Sequence, residues 1–312
     1  MPNSNETEAN KGYLAAFASM LFLSTTAIFI HYLHLNFQLP SLVLAFWREV
    51  FVGTALLLVF LLFKPSLLVV QRKHWLYLAV FGFALTCFNA FWTLSIAVNG
   101  ASVATVLAYS SAAFTALLGR IILKETLNLA KWIAVVGSMI GCALVANALD
   151  PVLWKLGFPG FLVGIAAGLF YAIYSVMGRS ASERGINPWT TLFTTFSIAA
   201  VCMLLLNLLF GRYLPGGAKM ARDLFWLGNS WAGWGLLLAL AVGPTLMGYG
   251  FYNLSLQYLP SSIANLVVTI EPLFTAVFAY FLFGERLSTR QILGGATILA
   301  AVFMLRIFNR EK

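Results

Sequence analysis

Ten runs of mostly apolar residues, each long enough to cross a bilayer, dominate the chain: about 12–34, 41–63, 75–97, 101–123, 128–149, 159–180, 188–210, 232–257, 261–283 and 288–308. The hydrocarbon core of a bilayer takes roughly 20 such residues as helix. Backbone polar groups at that depth must bond within their own segment, so each run is expected to be helical. The runs lack the two-residue alternation of a transmembrane barrel. Only 9% of the 312 residues are charged, against about 25% in soluble domains, which is too little to cover a surface in water. The sequence therefore predicts an all-α integral membrane protein with ten transmembrane helices. Connections as short as Asn99-Gly100 and Leu259-Pro260 make the helices on either side antiparallel neighbours.

The net charge of +9 does not point to nucleic acid, because the basic residues stand singly at the ends of apolar runs and form no patch. At the ends of the runs and between them, 12 Lys and Arg fall on the side of the N-terminus and 6 on the other. The side richer in positive charge is normally cytoplasmic, so a multi-pass protein of the inner membrane with both termini inside is expected. The organisation is a polar N-terminus (1–11), a first unit (12–149), a connecting loop (150–158), a second unit (159–308) and a short tail (309–312). The first run reads as a retained helix and not a signal peptide. Cys87, Cys142 and Cys202 lie inside runs without CxxC spacing and read as small packing residues.

The two units are copies. Shifted by 160, "FWTLSIAVNGASVATVLAYSSAAFTALLGRIILKETL" (91–127) lies without a gap on "FYNLSLQYLPSSIANLVVTIEPLFTAVFAYFLFGERL" (251–287). Leu94-Ser95 meets Leu254-Ser255, Phe114-Thr115-Ala116 meets Phe274-Thr275-Ala276, and Glu125 meets Glu285. Earlier in each unit the shift is 148: Gly12 falls on Gly160, Phe22 on Phe170 and Pro40 on Pro188, and the extra residues enter around 211–231. Five helices per copy is an odd number, so the second copy enters from the opposite side and lies inverted. Inverted repeats around a midplane site are characteristic of secondary transporters.

The ten runs, the five-plus-five repeat and the recurring "FTALLGRIILKETL" and "EPLFTAVFAYFLFGERL" resemble EamA-type transporters of the drug/metabolite transporter superfamily over roughly 12–306. The resemblance implies a carrier of small organic solutes, often an exporter of amino acids or of related metabolites. Members commonly carry an arginine where this chain has Arg48. They often have a proline in the fourth helix where this chain has Ala112, while the second copy keeps Pro272. The two halves are thus expected to bend unequally.

Glu271 lies near the middle of the ninth run, where a charge costs on the order of 3 kcal/mol. Such a residue is tolerated when it faces a cavity or a partner. Burial disfavours an ionised carboxyl, which makes Glu271 a candidate for proton exchange. Pro272 removes a helix hydrogen bond and is expected to kink the ninth helix, so the pair reads as a bent, polar cavity wall with a coupling or gating role. Arg48 is a candidate for a substrate carboxylate or for pairing with Glu271. It and Glu49 project about 100° apart and do not face each other. Asn89 and Trp92 in the third helix, Tyr109 and Ser111 in the fourth, Tyr171 and Tyr174 in the sixth, and Tyr249, Tyr252 and Asn253 in the eighth complete the candidate substrate site. Aromatic rings with a few hydrogen-bonding groups suit a ring-bearing or amphipathic solute. Glu125 and Glu285, each beside a basic residue at a helix end, read as solvated charges.

No HExxH, GxSxG or Walker A loop occurs, so no enzyme and no cofactor are expected, and transport would run on a solute or ion gradient. The expected partners are a small-molecule solute and membrane lipid, and the chain is expected to be a monomer or weak dimer. An exchanger of sugar phosphates or nucleotide sugars would want several cavity cations, and only Arg48 lies more than about a turn inside a run. A membrane-embedded enzyme or lipid-handling protein is the alternative from another class.

Overall fold

The computed structural model describes residues 4–145, 151, 158–283 and 288–310, with backbone only at 4–6, 31, 100–103, 276, 279, 280, 282, 283 and 305–310. The helices are α1 (Ser4–Leu23), α2 (Thr26–Phe37), α3 (Ser41–Phe63), α4 (Trp75–Ala108), α5 (Ser111–Ile122), α6 (Leu129–Val145), α7 (Phe158–Glu183), α8 (Pro188–Phe210), α9 (Trp231–Leu240), α10 (Gly248–Tyr258), α11 (Ser261–Val268), α12 (Glu271–Phe283) and α13 (Thr289–Arg310). A π-helical segment, Ala241–Met247, joins α9 to α10. Among the described residues seven helical segments are long and apolar enough to cross a membrane, and three shorter ones, Leu129–Val145, Ser261–Thr275 and Thr289–Met304, complete ten spans.

Helical structure continues through Asn99-Gly100 in α4, but the axis still reverses there. Against α7, Asn99 meets Gly160, Phe91 meets Phe170 and Phe81 meets Tyr174, an antiparallel run. Gly164 then abuts Leu107 and Gly168 abuts Ser110, a parallel run. A straight helix cannot make both sets of contacts. The third and fourth spans are therefore the antiparallel neighbours expected from their short connection.

The packing repeats with the sequence. Span one packs on span eight as six packs on three, and span one on nine as six on four, while two meets seven and five meets ten. Repeat mates run in opposite directions. Leu42 faces Asn207 and Phe60 faces Phe193, so spans two and seven are antiparallel. Gly137 faces Ala301 while Leu144 faces Gly294, so five and ten are antiparallel too. Span six runs parallel to eight (Tyr174 to Tyr249, Arg179 to Gln257) and antiparallel to three, so three and eight oppose each other. The fold is two inverted five-helix repeats. At the pair five–ten a Cβ on Gly141 would lie 2.8 Å from the Gly294 carbonyl oxygen. Only a hydrogen there lets the two backbones approach this closely.

The spans are interrupted where the sequence does not announce it. The fourth stops at Ala108 and restarts at Ser111; the ninth stops at Val268 and restarts at Glu271. Both pairs differ by 160, the repeat shift. The first span breaks between Leu23 and Thr26. At these breaks hydroxyl side chains take the carbonyl three residues back: Ser24 to Leu21, Thr25 to Phe22, Ser110 to Leu107 and Thr269 to Leu266, at 2.6–2.8 Å. Such bonds compete with the helix N–H for its acceptor. The expectation of unequal bending is thus corrected: both copies break at equivalent residues, with or without a proline. Pro272 does not kink a continuous helix but is the second residue of α12, where its missing N–H is harmless.

The extra residues around 211–231 fold over the ends of spans one, two and seven. Ala218 N–H donates to Asn207, Trp47 Nε1 to the Leu224 carbonyl, and Trp226 Nε1 to the Phe37 carbonyl.

Candidate solute site

A cavity of about 50 Å³ lies at the level of the helix breaks. Six of the candidate residues line it: Arg48, Trp92, Tyr109, Tyr171, Tyr249 and Glu271. Leu23, Thr26, Phe88 and Ala108 complete its wall, and sequence reasoning missed Leu23, Phe88 and Ala108 as site residues. Leu23, Thr26 and Ala108 flank the helix interruptions, beside Ser24-Thr25 and Ser110-Ser111.

Glu271 is the first residue of the half-helix α12, and its repeat mate Ser111 is the first residue of α5. Tyr109 Oη donates to Glu271 Oε2 at 2.7 Å. A helix N-terminus carries partial positive charge, so a carboxylate is well placed there. Thr275 Oγ1 bonds the carbonyls of Ser24 and Glu271, at 2.9 and 3.1 Å, and so ties the start of α12 to the break in span one.

Arg48 reaches the cavity from α3 and is 2% exposed. Its Nη2 donates to Asn89 Oδ1 at 2.7 Å, and Asn89 Nδ2 donates to Glu49 Oε1 at 2.7 Å. Arg48 and Glu49 thus do not pair directly, as their spacing requires, but Asn89 bridges them. Glu49 and Asn89 are both fully buried. Among the described residues Arg48 Nε and Glu49 Oε2 have no hydrogen-bond partner. Among the described residues no ion pair joins Arg48 to Glu271. The cavity therefore presents a cation and a carboxylate that do not neutralise each other.

The other five candidates do not line the cavity. Asn89 is taken up by the Arg48–Glu49 bridge. Tyr174 Oη donates to Asn253 Oδ1 at 3.1 Å. Tyr252 Oη and Ser175 Oγ are 2.7 Å apart, Asn265 Nδ2 donates to Ser175, and Ser111 Oγ donates to Asn265 Oδ1. These groups form a buried polar network joining spans four, six, eight and nine. Helical projection could not separate the residues that face the cavity from those that face another helix. The rings form a continuous wall, with Phe88 stacked on Tyr171 at 4.8 Å and Tyr171 5.8 Å from Tyr252.

Two charges read as solvated are not. Glu125 bonds the first residues of α11, and Lys131, counted as a surface cation, is 3% exposed. Glu285 lies outside the described residues. Among the described residues no group of three His, Cys, Asp or Glu could hold a metal.

The EamA-like transporter family matches residues 10–147 and 158–307. An uncharacterized transporter of Archaeoglobus fulgidus is 26% identical over 298 residues, covering 95% of this chain and 97% of its own. A second from that organism is 32% identical over 145 residues, and the chain spans about half its length (47%). The uncharacterized transporter YwfM of Bacillus subtilis is 26% identical over 243 residues, 77% of each chain. A protein of known crystal structure superposes with a TM-score of 0.74 over 97% of this chain and 98% of its own, at 16% identity, a likeness of fold alone. The two matched stretches coincide with the two inverted halves, and between them they place this chain in the EamA-like transporter family.

Proposed function

We propose that the protein exports amino acids or closely related small metabolites by alternating access, with the solute held in the cavity at the helix breaks. The observation that carries this reading is the pairing of Arg48 and Glu271 on one aromatic-walled cavity without an ion pair between them. A solute bearing a carboxylate and an ammonium group complements both, and Trp92, Phe88 and the tyrosines accept its apolar side chain. A cavity of about 50 Å³ holds a few waters, so the halves must part for a solute to enter. A single cavity arginine suits one carboxylate better than a phosphorylated sugar.

A melting-temperature screen of purified protein tests this. A ligand at 100 times its Kd adds about 2.7 kcal/mol to stability. An amino acid is expected to raise the melting temperature by several degrees, and its deaminated and decarboxylated analogues by clearly less. A panel of amino acids with no effect would contradict the reading.

The orientation we propose puts both termini in the cytoplasm of a cell with an inner membrane. Without the buried Lys131 the basic count is 11 against 6. A reporter fused after Lys312 is expected to be active in the cytoplasm; activity confined to the periplasm would overturn the orientation.

A further inference from the structure

We propose that Glu125 is the latch of a gate on the proposed cytoplasmic side, holding the two halves together below the cavity and releasing them when the carrier opens inward. The proposal rests on the alternating-access reading. The Glu125 carboxylate takes four hydrogen bonds from the first two residues of α11: Ser261 N–H at 2.6 Å, Ser261 Oγ at 2.7 Å, Ser262 N–H at 3.3 Å and Ser262 Oγ at 2.6 Å. Lys131 Nζ adds a bond to Ser262 Oγ at 3.3 Å. Glu125 and Lys131 belong to the first half and Ser261 and Ser262 to the second, so the clamp spans the boundary that alternating access must open. The contact also suits the helix dipole, with an anion on a helix N-terminus. From α7, Arg179 Nη1 bonds the Leu256 and Gln257 carbonyls in the last turn of α10, both at 3.1 Å. The turn Leu259-Pro260 is thus gripped on both flanks.

The chain is shaped to deliver this carboxylate. Lys124 adopts a left-handed φ of 56°, a conformation that disfavours an L side chain and persists only where surroundings enforce it. It folds the chain back so that the N–H groups of Leu123 and Glu125 both donate to the Gly119 carbonyl. Gly119 leaves the room needed, since a Cβ there would lie 3.0 Å from Glu125 Oε2 and 3.2 Å from Ser261 Oγ. Ser261 precedes Glu271 by ten residues, roughly 15 Å along a helix. Between them lies the Ser111–Asn265–Ser175 network. A solute leaving toward this end must cross the network and then the latch.

The test uses side-specific labelling in membrane vesicles, in a background where Cys87, Cys142 and Cys202 are alanine. Ser111→Cys reports the path between cavity and latch. Thr26→Cys reports the cavity from α2, which leads to the opposite end. With a membrane-impermeant maleimide, Glu125→Gln is expected to raise labelling of S111C from the latch side at least tenfold and to lower labelling of T26C from the other side. The double variant Ser261→Ala, Ser262→Ala keeps the carboxylate but loses two donors, and should give a smaller change of the same sign. Lys124→Gly, which relieves the left-handed strain, should leave labelling at the wild-type level or below. Unchanged rates in Glu125→Gln would overturn the latch. So would a rise at both reporters, which marks a structural staple and no gate. Failure of the carrier reading itself is seen separately, as absence of solute counterflow in wild-type vesicles.

Discussion

Glu271→Gln is expected to leave the protein folded, with a melting temperature within a few degrees of wild type, and to lower solute flux at least tenfold. Glutamine keeps the volume of the side chain and can still accept the hydrogen bond from Tyr109 Oη. No cation loses its partner, because no ion pair to Glu271 exists among the described residues. What disappears is the negative charge on the cavity wall and its capacity to carry a proton. A tenfold loss corresponds to about 1.4 kcal/mol of lost stabilisation of a cationic group, close to the lower end of what one hydrogen bond to a charged group is worth. Flux at the wild-type level would assign Glu271 a passive role; a collapse in folded yield would make it structural.

Asn89→Leu is expected to do the opposite, removing stability before function can be asked about. Asn89 is the bridge between two buried charges, donating to Glu49 and accepting from Arg48. Leucine fills similar space but leaves both charges without their partner. Breaking a buried pair this way costs about 3–5 kcal/mol, enough to unfold a marginal protein. The check is the midpoint of thermal or denaturant unfolding in detergent. Replacing the whole triad, as Arg48→Met, Glu49→Leu and Asn89→Leu together, should recover most of the loss, because an apolar triad has no charge to desolvate. That variant should fold and not transport, since Arg48 also lines the cavity. A single Asn89→Leu variant as stable as wild type would show that the bridge contributes nothing.

The ten spans and the inverted repeat are legible in the sequence because hydropathy and a constant shift survive any detail of packing. The breaks are not. Ser110 and Thr269 end helices by taking carbonyls from their own backbone, which leaves hydropathy unchanged. Pro272, the visible signal, sits just past one break and has no counterpart in the other copy. Arg48 and Glu271 were found because charges at mid-span are scarce, and Trp92, Tyr109, Tyr171 and Tyr249 because each joins a ring to a hydrogen-bonding group. Asn89, Tyr174, Tyr252 and Asn253 carry the same signal but satisfy one another or a buried charge. Glu125 has the local context of a solvated helix end, and its partners lie about 136 residues away. Contacts of that range belong to tertiary structure and leave no local mark.

The central claim is that solute crosses through the cavity bounded by Arg48 and Glu271. It is tested most directly by counterflow in proteoliposomes, using the amino acid that most raises the melting temperature. Wild-type protein preloaded with unlabelled solute is expected to accumulate labelled solute transiently above equilibrium, while Glu271→Gln, reconstituted to the same folded amount, does not. Equal counterflow by the two proteins, or none by wild type with any stabilising solute, would contradict the account.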